Sequence, residues 1–183
     1  MVAEAQKRGL PVSADATAHH LHLTEHDISD FDTQCHVRPP LRSKRDREAL
    51  RRALKNGVLG AVCSDHQPHE PDAKLAPFAQ SEPGISALET LLPLTLKLVD
   101  ENVLELVEAI ALLTNKPAQI LGIEAGQLSV GATADVCVFD LKAAWMLTED
   151  QIRSRGHNTP FLGWEFRGRV THTLVGGKVV FEL

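Results

Sequence analysis

The chain has 183 residues, 43% of them hydrophobic and 23% charged, which suits a folded domain with a buried core and excludes a disordered polymer. A net charge of −5 and a pI of about 6.0 provide no basic field for nucleic acid. No apolar run approaches the roughly 20 residues needed to span a bilayer, and no leader pattern opens the chain, so a cytoplasmic protein without membrane or nucleic-acid partners is expected.

Met1–Arg8 reads as the end of a helix stopped at Gly9, and a short strand is predicted over Leu10–Thr17. A chain that begins inside a helix points to sequence missing upstream. Thr24–Asp32 is polar and turn-like, and Arg38-Pro39-Pro40-Leu41 is rigid and extended, because proline restricts itself and its predecessor. Lys44–Lys55 has helical character, with Leu50, Ala53 and Leu54 on one side, and its basic stretch Arg42–Arg52 reads as a solvated face. Gly60–Ser64 is a short, continuously apolar run, as in a strand buried on both faces of a parallel sheet.

The loop Asp65–Gly84 is long for a connection without its own structure, and such loops are often functional. Helices are predicted over Ile85–Val99, Leu104–Thr114 and from Asn115 to near Gly122. Beyond Gly126 the texture becomes β-rich, with strands expected at Gly126–Val130, Ala134–Asp140, Val170–Val175 and Lys178–Glu182. The last two are joined by a Gly176-Gly177 hairpin turn. The fold class is therefore α/β to residue 122, followed by a β-rich part over 123–183. Cys35, Cys63 and Cys137 form no close pair, which argues for reduced thiols, and Cys63 and Cys137 sit in apolar runs that suit buried cysteines.

Chemistry concentrates in Cys63–His69 (CSDHQPH), where a buried strand ends and Asp65, His66 and His69 follow. In α/β barrels that end of a strand carries the catalytic groups. A carboxylate placed there can ligate a metal, take a proton from its water, or both. A polar loop with incidental histidines accounts for the same spacing. His19, His20, His22 and His26 form a second cluster. His20 and His22 would share one side of a strand, like an H-x-H metal pair, and hydrogen bonds to neighbouring backbone are the plainer alternative.

Five blocks in order, ADATAHHLHLTEHDI, PPLRSKRDREAL, SDHQPHEPDAK, EPGISALETLLPL and NTPFLGWEFRGRVTHTLVGGKVV, resemble dihydroorotases and the related hydantoinases and allantoinases. PPLRS and NTPFLG look more like dihydroorotase than allantoinase. The resemblance implies the C-terminal part of an amidohydrolase (β/α)8 TIM barrel over 1–122, plus strands of a small β-sandwich over 123–183. It implies a zinc enzyme with one or two ions, which opens and closes the ring between dihydroorotate and N-carbamoyl-aspartate in pyrimidine biosynthesis, and a homo-oligomer. Asp65 matches the aspartate that ligates the metal and shuttles the proton. His69 matches a substrate-contacting histidine, and Pro83 and Gly84 match a loop whose backbone closes on the ring. The family's other metal ligands fall upstream of Met1, and His19, His20 and His22 match none of them.

One position departs from the pattern. Where active members carry asparagine before Pro-Pro-Leu-Arg, this chain has Arg38, expected to reach the substrate position but unable to reproduce an amide's paired donor and acceptor. The change resembles dihydroorotase-like proteins that have lost catalysis and assemble with aspartate transcarbamoylase. Retention of Asp65 favours the enzyme, whose activity in this chain alone is not expected. An allantoinase or hydantoinase is the third alternative.

Overall fold

The computed structural model describes residues 1–183, and its first part is organised around a β–α–β unit. Helix α1 (Val2–Lys7) leads past Gly9 to strand β1 (Asp15–Thr17), helix α2 (Lys44–Lys55) follows, and strand β2 (Ala61–Cys63) returns beside β1. The strands are parallel, with Asp15 opposite Ala61, Ala16 opposite Val62 and Thr17 opposite Cys63. Ala18 N–H donates to the Cys63 carbonyl at 2.9 Å, carrying the pairing past the C-terminal end of both strands.

Helix α2 is set by its ends. Ser43 accepts the Asp46 amide at 3.2 Å, and Arg52 and Lys55 lie in the last turn, where cations suit the helix dipole. Its inner face buries Leu54 and also Arg51, contrary to the reading of Arg42–Arg52 as a solvated face. Arg51 is retained inside because its charge and donors are matched. Its Nε donates to the Leu21 carbonyl at 2.7 Å, and its Nη1 lies 2.8 Å from Glu101.

Helices α3 (Leu88–Asp100), α4 (Leu106–Ala111) and α5 (Asn115–Leu121) come next. Strands β3 (Val136–Met146), β4 (Glu165–Val175) and β5 (Lys178–Glu182) then form an antiparallel sheet in that order. Gly176 and Gly177 close the β4–β5 hairpin with φ of 54° and 78°, the left-handed pair such a turn requires. The core is continuous between the two parts: Leu147, Ile152, Phe161 and Phe166 pack in one cluster with Val62, Leu94 and Leu98. No helix is long and apolar enough to cross a membrane.

Several expected boundaries move. The strand predicted at Leu10–Thr17 forms only at Asp15–Thr17, since Pro11 has no donor and no strand pairs with the residues before Asp15. Gly126–Val130 forms no strand. Leu128 and Val130 are fully exposed, so nothing offers them a ladder or a face to bury. Helix α3 starts at Leu88 rather than Ile85, because Ile85 makes a parallel bridge to His66. Helix α4 is shorter than predicted and begins where the Glu105 and Glu108 carboxylates cap each other's backbone amides. Strands β3 and β4 are longer than expected, and register shifts accommodate the extra residues. Cys137 is exposed on β3, whereas Cys35 is buried.

Candidate active site

The site grows from the end of β2. Two residues past Cys63 the chain turns at Asp65, whose φ of 46° is a left-handed conformation that aspartate tolerates better than bulkier residues. Asp65 is half-buried, and its Oδ1 accepts the side-chain amide of Gln67 at 2.8 Å. His66 is committed elsewhere. Its Nδ1 accepts the Ala87 amide at 3.0 Å, which leaves the proton on Nε2 to be donated to Ser154 Oγ at 3.1 Å.

The loop after Asp65 is fastened to the segment before α3. Gln67 N–H donates to the Ile85 carbonyl at 2.9 Å, next to the His66–Ile85 bridge. His69 Nε2 donates to the Pro83 carbonyl at 3.1 Å. Gly84 has φ of 139°, and a Cβ there would lie 2.6 Å from the Gln67 Cβ and 3.0 Å from His69 Nε2, so only glycine fits. His69, Pro83 and Gly84, distant in sequence, are thus brought together beside Gln67 and Asp65.

Arg38 makes no bond to this group. It precedes a cis peptide to Pro39, is exposed, and makes neither a hydrogen bond nor an ion pair. Two residues before it, the His36 carbonyl accepts the Gly84 amide at 2.8 Å, and just after it the Pro39 carbonyl bonds the His20 ring.

The upstream histidines are structural in geometry. They lie on a tight turn over His19–Leu21 rather than a strand, so His20 and His22 do not share a face. His20 bonds Thr17 Oγ1 and the Pro39 carbonyl, while His22 Nε2 donates to the Leu94 carbonyl at 2.7 Å. Burial pushes the imidazole of His22 down to about 4 and that of His19 to about 3, helped for His19 by the charge of His20. Both ring nitrogens of His19 are buried without a partner. His26 is exposed. Burial also holds the Cys63 thiol up at about 12, which removes it as a nucleophile.

No three His, Cys, Asp or Glu side chains converge anywhere in the chain. Its own residues therefore do not make a catalytic zinc site, which takes at least three protein ligands. Sequence reading passed over Gln67, a spacer in D-H-Q-P-H, and Ser154 and Asn158, which reach this loop from about 90 residues away. The only signal for Asn158 was its place in the NTPFLG block.

Residues 2–180 match the amidohydrolase family. A "dihydroorotase-like protein" of Pseudomonas aeruginosa is 49% identical over 182 residues, spanning 100% of this chain and 43% of the relative. A dihydroorotase of Geobacter sp. strain M21 is 41% identical with the same coverage. Among solved structures, L-hydantoinase (dihydropyrimidinase) from Arthrobacter aurescens superposes with a TM-score of 0.92 at 30% identity, over 99% of this chain and 42% of that one. Dihydropyrimidinase from Brevibacillus agri gives 0.91 at 26% identity, over 99% and 41%. This chain spans less than half the length of these relatives. The β1–α2–β2 unit, its helices and the three-stranded sheet fit part of the barrel and part of the sandwich in such enzymes, and the chain belongs to the amidohydrolase family.

Proposed function

We propose that this chain is the C-terminal part of a dihydroorotase-type hydrolase of cyclic amides, interconverting dihydroorotate and N-carbamoyl-aspartate in pyrimidine biosynthesis in the cytoplasm. The observation that carries the reading is the meeting of His69, Pro83 and Gly84 within the loop that follows Asp65 at the C-terminal end of β2. Relatives at 41–49% identity that bear the names dihydroorotase or dihydroorotase-like support this choice over hydantoinase or allantoinase. In this reading residues 1–122 belong to the barrel and 123–183 to the sandwich.

In the hydrolytic direction water attacks the ring carbonyl carbon, and the ring C–N bond breaks. Asp65 accepts the water's proton and returns it to the leaving nitrogen. His69 and the Pro83-Gly84 backbone hold the ring. Zinc, one or two ions, would ease the water's ionisation near neutral pH and polarise the carbonyl, but only within a longer protein that adds ligands to Asp65.

A second reading is favoured by two observations. The Gln67 amide already occupies Asp65 Oδ1, and the 48% and 49% identical Pseudomonas relatives are "dihydroorotase-like" rather than dihydroorotase. On that reading the protein is a non-catalytic subunit assembling with aspartate transcarbamoylase.

The deciding experiment assays the complete protein for dihydroorotate, hydantoin and allantoin hydrolysis, with zinc content measured and a transcarbamoylase pull-down alongside. Turnover of dihydroorotate that tracks zinc, without the transcarbamoylase, is expected. A zinc-free, inactive protein that binds the transcarbamoylase firmly establishes the second reading instead. The 183-residue chain alone should show no turnover with zinc added.

A further inference from the structure

Asn158 lies in the loop between β3 and β4, far in sequence from the candidate site, yet it is 5% exposed and fully bonded into it. Its side-chain Oδ1 accepts the His69 amide at 2.7 Å. Its Nδ2 donates to the Gln67 carbonyl at 2.9 Å and to the Gly84 carbonyl at 3.0 Å. Its own carbonyl accepts the Ser86 amide at 2.8 Å. One residue therefore holds two loops, the one carrying Asp65 and His69 and the one carrying Pro83 and Gly84, from behind.

Two neighbours reinforce the grip. A Cβ at Gly156 would lie 2.5 Å from the His69 nitrogen and 2.6 Å from its carbonyl oxygen, so this backbone presses directly on His69. Ser154 Oγ bonds the His66 ring at 3.1 Å.

We propose that Asn158 is a positioning residue, setting the separation and relative orientation of the two loops that form the candidate site. The role rests on reading those loops as the site. The chemistry demands an amide. The three groups facing the side chain are one N–H and two carbonyls, which need one acceptor and two donors on a short planar group. Asparagine alone supplies that set at this length. The residue is also sequestered, so water does not replace a lost bond cheaply.

The test compares Asn158→Asp with Asn158→Ala. Aspartate keeps the shape and the acceptor for His69 but turns the two donors into repulsion with the Gln67 and Gly84 carbonyls. Amide hydrogen exchange in the 183-residue chain is read at His69, at Gln67, whose N–H bonds Ile85, and at Val62, whose N–H bonds Leu112 in the core. In Asn158→Asp the Gln67 amide should exchange about tenfold faster or more while His69 stays protected. In Asn158→Ala both should quicken by about tenfold or more. Protection of Gln67 in Asn158→Asp should recover at low pH, where the protonated carboxyl regains one donor. Val62 should stay unchanged. Site amides that do not respond, or that quicken only in step with Val62, overturn the proposal.

A kinetic arm separates this from the functional reading. In the complete protein Asn158→Asp should lower kcat/KM for dihydroorotate about tenfold or more, while the exchange pattern reports the loops independently. An inactive wild type with the expected exchange pattern removes the catalytic reading and keeps Asn158. An active wild type matched by Asn158→Asp removes Asn158 and keeps the reading.

Discussion

The Gln67 side-chain amide donates to Asp65 Oδ1 at 2.8 Å, so the carboxylate assigned the proton transfer is held by a neighbour only two residues along the chain. The bond fixes the orientation of Asp65 while using one of its acceptor positions. The two residues therefore separate in their expected effects. In an active complete protein Asp65→Asn should reduce kcat for dihydroorotate by about 10²–10⁴-fold, the usual contribution of a positioned general base. Gln67→Ala should cost only about five- to tenfold, the worth of one orienting hydrogen bond. A Gln67→Ala variant as impaired as Asp65→Asn would show that the glutamine is as essential as the aspartate and not merely an orienting neighbour.

Arg38 makes no contact that the fold depends on. Arg38→Asn should therefore shift the stability of the chain by no more than about 0.5 kcal/mol, measurable by urea denaturation. In the complete protein the same change should be tolerated or weaken substrate binding moderately, if the arginine reaches the substrate carboxylate there. A rise in turnover of more than tenfold would show that Arg38 obstructs the site.

Stability should fall as the solution is acidified below pH 6.5. His22 drops from an ordinary 6.5 to about 4 because burial outweighs the opposing effect of its hydrogen bond to the Leu94 carbonyl. Between those values the unfolded chain binds a proton that the folded chain refuses. Unfolding then takes up a proton, and stability, complete above pH 6.5, declines towards pH 4 by up to ~1.4 kcal/mol per pH unit for this residue. His19, pushed down to about 3, adds a second contribution of the same sign. Urea titrations at pH 7, 6 and 5 measure the slope, and His22→Gln, which can still donate to Leu94, should flatten it by about one proton. A slope that His22→Gln leaves intact would place the titration elsewhere.

Gly84 faces both strain and collision. Alanine there should destabilise the chain by about 2–4 kcal/mol, combining a forbidden backbone conformation with a Cβ forced against Gln67. Gly131 is the matched control. It has φ of 90° and open space around it, so Gly131→Ala should cost only about 1–2 kcal/mol, for strain alone. Equal losses would mean that the Gln67–Gly84 approach is looser than the geometry shows.

Local rules sufficed for much of this protein. Helix α2 forms over Lys44–Lys55 and strand β5 over Lys178–Glu182 as expected, because Ser43, the apolar spacing of Leu50, Ala53 and Leu54, and the Gly176-Gly177 turn act within a few residues. The buried run Gly60–Ser64 that leads into Asp65-His66 was likewise legible, since a short apolar stretch followed by polar groups is a local signal. Elements that depend on distant partners were not. Leu10–Ala14 and Gly126–Val130 have strand-like composition but no strand beside them, and pairing, not composition, makes a strand. The spacing of the histidine cluster leaves a metal pair and backbone hydrogen bonding both open, and only the fold supplies the partners, the Pro39 carbonyl for His20 and the Leu94 carbonyl for His22, 19 and 72 residues away. Asn158 is the extreme case. Beyond its place in the NTPFLG block nothing marks it, because its three bonding partners are distributed over two loops and meet only once the β-rich part has packed against α3.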